Sequence, residues 1–158
     1  MKEKVTIIIF SNDLDKVLAA FNIAIGSVSM NMDVTMFFTF WGLNVIRKEK
    51  SIKKPLNWMK RMLGLLNRGG ADRLKLSKFN MLGIGTSMMK KLMKKSNMPS
   101  IKELISLAKE SGVKIIACNT TMEIMGISKQ DLISEVDSIA GVATYLATAK
   151  ESKINLFI

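Results

Sequence analysis

Apolar residues run through this chain in two rhythms, short unbroken runs and helical spacing, and the two alternate. Residues 5–10 form a continuous apolar run that stops at Ser11-Asn12-Asp13, the pattern of a strand buried on both faces followed by a helix cap. Leu14, Val17, Leu18, Phe21, Ile25 and Val28 then recur at helical spacing, with Asp13 and Asp15 in the first turn and Asn31 placed to end the helix. A second strand rich in aromatic and β-branched residues covers 34–40 and stops at Trp41-Gly42. Two strands joined by one helix form a parallel pair with a right-handed crossover. Pro99-Ser100 opens a helix to about residue 110, with Ile101, Leu104, Ile105 and Ala108 inward and Gly112 as its stop. The run 113–118 is a third strand, and Thr120 followed by Glu123 has capping-box spacing for the next helix. A turn at 128–132, a fourth strand near 135–138, a helix over 141–150 with Val142, Tyr145, Leu146 and Ala149 on one face, and a final strand at 154–158 complete the pattern. It predicts one α/β domain over 1–158, a three-layer α/β/α sandwich.

The alternation breaks at about 43–98, a helical insertion after strand 2. One helix is expected over 55–66, with Leu56, Met59, Met62, Leu63 and Leu66 on one side and Asn67-Arg68-Gly69-Gly70 closing it. Another starts near Gly85-Thr86-Ser87, where Met88, Met89, Leu92 and Met93 read as one stripe and Lys90, Lys91, Lys94 and Lys95 as the opposite face. The net charge of +11 is concentrated here. Residues 47–95 hold 15 Lys or Arg against Glu49 and Asp72, a net +13 that leaves −2 for the remainder. Four readings stand side by side: an oligomer interface with a solvated rim, docking of an acidic partner, contact with an anionic membrane surface, or core methionine under solvent-facing lysine. Nucleic acid is not favoured, because Trp58 and Phe79 are the only aromatic residues in the segment and no nucleic-acid motif appears. Gly83-Ile84-Gly85-Thr86 lacks the spacing and lysine of a Walker loop, and a tight turn explains it as well.

Composition narrows the chemistry. The chain has no histidine and one cysteine, Cys118, which removes Ser-His-Asp and Cys-His pairs, histidine-bearing zinc sites and internal disulfides. No metal or cofactor is expected. A lone thiol fits a reducing compartment, and no apolar run is long enough for a signal peptide or membrane span, so a cytoplasmic location is expected, with membrane association as one use of the insertion. In parallel sheets the ligand crevice lies beyond the carboxyl ends of the strands. Ser11, Asn12, Phe40, Trp41, Cys118, Asn119 and Thr120 all emerge there, so a pocket shared with Cys118 is expected; for Trp41, packing under the insertion is the competing role. At a strand-to-helix junction, backbone N–H groups and the helix dipole favour a thiolate. A free cysteine is equally at home as a small buried hydrophobe. Reactivity and packing both remain open at this point.

Four stretches, in order, span nearly the whole chain: residues 37–43 (FFTFWGL), 76–81 (LSKFNM), Ala117-Cys118 with 122–127 (MEIMGI), and 141–146 (GVATYL). Together they resemble the DsrE/DsrF/DsrH-like sulfur-relay family, in particular its methionine-rich DsrE-type branch. The resemblance implies an α/β/α fold with a five-stranded parallel sheet in the order 4-3-2-1-5, and homo-oligomers such as trimers or hexamers. It also implies that Cys118 accepts a sulfane-sulfur or thiosulfonate group and passes it to a partner thiol, so that sulfur-donor and sulfur-acceptor carrier proteins are its partners. Some relatives carry further cysteines; this chain has none. A peroxidase reading would need a resolving thiol, which is also absent. The rival from another class is a non-catalytic scaffold in which Cys118 is inert and the basic insertion docks a membrane or an acidic partner.

Overall fold

The structure, a computed structural model, describes residues 2–49, 58, 59, 62 and 68–158. β1 (Lys4–Ile9), β2 (Asp33–Phe38), β3 (Lys114–Cys118), β4 (Ser138–Ala140) and β5 (Ile154–Phe157) form one sheet in the order β4-β3-β2-β1-β5, with every pairing parallel. The helices are α1 (Leu14–Ser29), α2 (Ile84–Lys95), α3 (Ile101–Glu110), α4 (Asn119–Met125) and α5 (Val142–Ala149). They lie on both sides of the sheet. The expected helix over 55–66 falls outside the described residues except for Trp58, Met59 and Met62, whose side chains are exposed.

Strand alternation divides the sheet's two faces. Val5, Ile7 and Ile9, Val34, Met36 and Phe38, and Ile115 and Ala117 point into the main core, against Val17, Phe21 and Ala24 of α1 and Leu104, Ile105 and Ala108 of α3. α3 is held by a capping box, in which Ser100 Oγ accepts from the Glu103 N–H and the Glu103 carboxylate accepts from the Ser100 N–H. The other face carries Ile8, Phe37, Ile116 and Cys118, covered by Tyr145 and Ala149 of α5.

Several boundaries differ from the sequence reading. β2 ends at Phe38, because Phe40 takes a left-handed backbone conformation (φ 45°) and opens a 3-10 turn, Phe40–Ile46. β4 starts at Ser138; just before it the Asp137 N–H donates to the Ile115 carbonyl at 2.9 Å, while the Ile115 N–H goes to the Asp137 carboxylate at 2.8 Å in place of a backbone carbonyl. In α5 only Tyr145 is buried, while Val142 and Leu146 are more than half exposed; the sheet face beneath α5 is thinly covered. The Thr120–Glu123 capping box does not form: α4 begins at Asn119 with Cys118 itself as the N-cap residue, and the Thr120 hydroxyl donates to Asn119 Oδ1 at 3.2 Å. The stripe assigned to α2 is also corrected. It buries Thr86 and Met93 and leaves Met88, Met89 and Leu92 exposed.

Candidate functional site

Cys118 is the last residue of β3, and alternation along the strand turns its side chain away from the main core toward Phe37 and Tyr145. Their rings are 5.1 Å apart, and the Tyr145 hydroxyl donates to Thr6 Oγ1 at 3.4 Å. Beneath this cover the thiol is 2% exposed. The register that pairs Phe38 with Ala117 brings Thr39, the next residue, alongside the sulfur, while Ala140 pairs with Cys118 on the other flank.

Two hydroxyls and two backbone N–H groups converge on the sulfur. Thr121 Oγ1 donates to Cys118 Sγ at 3.6 Å, and Thr39 Oγ1 lies 2.9 Å from Thr121 Oγ1. Either hydroxyl can donate in that second bond, and each can instead turn its proton to the sulfur. An N-cap side chain ordinarily accepts from the second and third N–H groups of its helix, which here belong to Thr120 and Thr121. No cap hydrogen bond closes in this thiol form, but both groups face the sulfur and favour its charged state. Burial pushes the Cys118 thiol up; hydrogen bonding from the Thr121 N–H, the Thr39 and Thr121 hydroxyls and the Thr120 N–H outweighs it, so the thiol lies below its ordinary value. The result is a covered thiol predisposed to ionise.

The other residues expected at this edge are not all brought to the sulfur. Phe40 and Trp41 are both about two-fifths exposed, and Phe40 continues an aromatic row, 5.2 Å from Phe10, which is 5.6 Å from Phe157. Trp41 is held by Gly42, whose N–H bonds the carbonyls of Phe10 at 2.8 Å and Thr39 at 2.9 Å. Asn119 and Thr120 are exposed beside Cys118, and Asn119 Oδ1 stands against Gly141, the N-cap of α5. Ser11 Oγ accepts from the Asp13 N–H at 3.1 Å. Asn12 lines a separate cavity of about 640 Å³ with Arg68, Arg73 and Lys75, away from the thiol. Lys90 and Lys94 line a third place, a cavity of about 820 Å³ between α2 and α3, where Lys90 donates to the Asp72 carbonyl; Lys91 and Lys95 are exposed. Among the described residues no three Cys, Asp or Glu side chains converge to hold a metal.

A sequence profile of the DsrE/DsrF/DrsH-like family matches residues 1–157. The chain belongs to this family. Its DsrE-like relatives include a protein of Bacillus subtilis (strain 168), the uncharacterized protein YrkE, 44% identical over 99% of this chain and 97% of that one. Another is the sulfur carrier protein DsrE2 of Allochromatium vinosum, 33% identical over 99% of both chains. Among solved structures, the ychN protein of E. coli matches with a TM-score of 0.58 and 14% identity, covering 100% of both chains. A protein of unknown function from Methanobacterium thermoautotrophicum, MTH1491, matches with a TM-score of 0.56 and 15% identity, covering 98% of this chain and 99% of that one. At such identities these two structures establish the DsrE-like fold alone.

Reasoning from sequence missed the groups that tune and cover the thiol of this DsrE-like chain: Thr39, Thr121, Phe37 and Tyr145. Thr121 had a readable signal, since it lies three residues after Cys118, where the third N–H of a helix capped by that residue must fall. Thr39 and Tyr145 depend on strand register and helix docking, which no local pattern encodes.

Proposed function

We propose that this protein is a sulfur carrier that holds sulfane sulfur on Cys118 and delivers it to a partner thiol. The observation that carries the reading is the set of donors around one sulfur, the hydroxyls of Thr39 and Thr121 with the N–H groups of Thr120 and Thr121, which favours a thiolate at the carboxyl edge of a parallel sheet. The Cys118 thiolate attacks the outer sulfur of a donor persulfide, an S–S bond breaks, the donor thiolate leaves, and Cys118 persulfide forms. An acceptor thiolate then attacks the outer sulfur and Cys118 leaves as thiolate. The two steps are thiol–disulfide-type exchanges with no net oxidation. The name of the relative in Allochromatium vinosum, a sulfur carrier protein, supports the same reading.

Tyr145 stands over the sulfur, so transfer requires α5 to lift. That helix buries one residue, and Val142 and Leu146 on it and Phe157 on its side of the sheet are exposed, so few apolar contacts oppose its movement. Mass spectrometry after incubation with a sulfane-sulfur donor is expected to show added sulfur in wild type and none in Cys118→Ser; an equal gain in both overturns the assignment.

The 2% exposure of Cys118 favours a second reading, an inert packing thiol in a scaffold protein. Iodoacetamide separates the two. Modification under native conditions supports the carrier, and protection until denaturation supports the scaffold.

A further inference from the structure

We infer that the turn before α2 and the outer face of that helix form a docking surface for anionic lipid bilayers, independent of any chemistry at Cys118. The surface begins at Phe79, which is 82% exposed, and continues through Met81 to Leu82, which is fully exposed. Their presentation is built into the backbone. Phe79, Met81 and Leu82 all take left-handed conformations (φ 57°, 42° and 57°), unfavourable for side chains of this size. The turn is nevertheless tied down: the Asn80 carbonyl accepts from the N–H groups of Gly83 at 2.7 Å and Gly85 at 3.1 Å, and Asn80 Oδ1 accepts from Thr86 Oγ1 at 2.7 Å. Gly85 permits this closure, since a Cβ there would meet the Phe79 carbonyl oxygen at 1.8 Å.

α2 extends the same surface. Its inner side is fixed by Met93 and Thr86, whose hydroxyl also accepts from the Leu76 N–H at 3.0 Å. Opposite lie Ile84, Met88 and Leu92, successive at four-residue spacing and all exposed. Lys91 and Lys95 fall among them, three residues beyond Met88 and Leu92. A soluble helix normally turns such apolar residues inward; this one turns them out.

Charge and shape choose the occupant. Between Arg73 and Lys102 the chain contains eight Lys or Arg and no Asp or Glu. A second copy would bring like charge against like charge. A protein partner would need pockets for protruding side chains, whereas a bilayer interface accepts a protruding leucine and phenylalanine without prior fit, and lysines beside them reach anionic headgroups by extending their stems. Among the described residues no helix is long and apolar enough to cross a membrane, so the contact is one of lying on the surface.

The test is flotation of the full chain with vesicles of phosphatidylcholine alone or mixed with phosphatidylserine. Wild type is expected to float with the mixed vesicles and not with phosphatidylcholine alone. Lys91→Gln/Lys95→Gln should weaken binding by about thirtyfold, roughly fivefold per lysine. Leu82→Ser/Met88→Ser, which changes only exposed side chains, should weaken it by at least about tenfold at unchanged circular dichroism. Cys118→Ser should bind as wild type, which separates this surface from the sulfur chemistry. Binding lost in the lysine variant but intact in Leu82→Ser/Met88→Ser would be charge adsorption alone and overturns the proposal. Failure to float at low salt, whether or not the protein is retained by an acidic protein, also overturns it.

Discussion

Replacing Tyr145 by alanine tests whether access to Cys118 is governed by α5. Tyr145 is the one buried residue of that helix, stacks obliquely on Phe37 and lies over the sulfur. Truncating a buried aromatic residue to alanine costs about 3–5 kcal/mol. The lower end applies here, because α5 covers the sheet with one ring and its neighbouring side chains are exposed. If Cys118 reacts only from a locally opened state, its alkylation rate is the rate of an exposed thiol multiplied by the opening equilibrium constant. A loss of about 3 kcal/mol from the closed state raises that constant by roughly a hundredfold, since each 1.4 kcal/mol is a factor of ten. The assay is the pseudo-first-order rate of iodoacetamide modification without denaturant. Urea unfolding of the same variant separates local from global opening: the rate gain should exceed that expected from the drop in whole-chain stability. A change of less than about threefold, in a variant that remains folded, would show that Tyr145 does not gate the thiol, and the route to sulfur would have to lie elsewhere.

Three further outcomes follow from the same geometry. Thr121→Val removes the hydroxyl 3.6 Å from Sγ and is expected to move the midpoint of alkylation rate against pH upward, because that donor favours the thiolate; an unmoved midpoint would assign the effect to the Thr39 hydroxyl and the backbone N–H groups. The folded thiol lies below its ordinary value, so its stabilising contribution is fully present above the unfolded thiol's pKa of about 8.5 and disappears as pH falls through the lower folded value. Urea midpoints should therefore show wild type gaining on Cys118→Ser as pH rises toward the unfolded thiol's pKa, and a constant difference would contradict the shift. Gly42→Ala places a Cβ 2.0 Å from the Ile9 carbonyl oxygen, a clash with backbone that must displace the Trp41 turn; a loss of about 2–3 kcal/mol in urea unfolding is expected, and wild-type stability would refute the close approach.

The sheet was legible because its strands are buried on both faces or nearly so: 5–10, 34–40 and 113–118 read as apolar runs, and the helices between them carried their stops, Asn31 (φ 63°) and Gly112 (φ 91°), in the observed left-handed positions. Ser100 and Glu103 formed the capping box that their spacing permits, whereas Thr120 and Glu123, with the same spacing, did not. The difference lies in tertiary structure. The N-cap position was taken by Cys118 because β3 runs directly into α4 and leaves no residue between them. In α2 and α5 the stripes read from spacing divide in the structure, Met93 and Tyr145 turning inward while Met88, Leu92, Val142 and Leu146 stay exposed. A period tells which side chains share a face, and only packing tells whether that face meets the core.

The direction of α5 also accounts for the state of the thiol. The sheet's two faces are covered unequally: α1 and α3 close one side over the large core, while the side bearing Ile8, Phe37, Ile116 and Cys118 lies under a helix with one buried residue. Local opening costs least where the fewest apolar contacts must break, so the layer over Cys118 lifts more readily than the α1 and α3 layer on the other face. Placing the sulfur one residue earlier, at Ala117, would reverse its face and bury it beneath the main core. At Cys118 the same strand offers both requirements of a carrier: closed, the thiol is shielded, with the Thr121 hydroxyl donating to it and Thr39 and the Thr120 and Thr121 N–H groups beside it; with α5 raised, those groups remain, since Thr39 directly follows β2 and Thr120 and Thr121 belong to α4 rather than to the moving helix. Opening would then expose a sulfur already biased toward the thiolate, and burial, the one influence opposing ionisation, would be relieved in the same step.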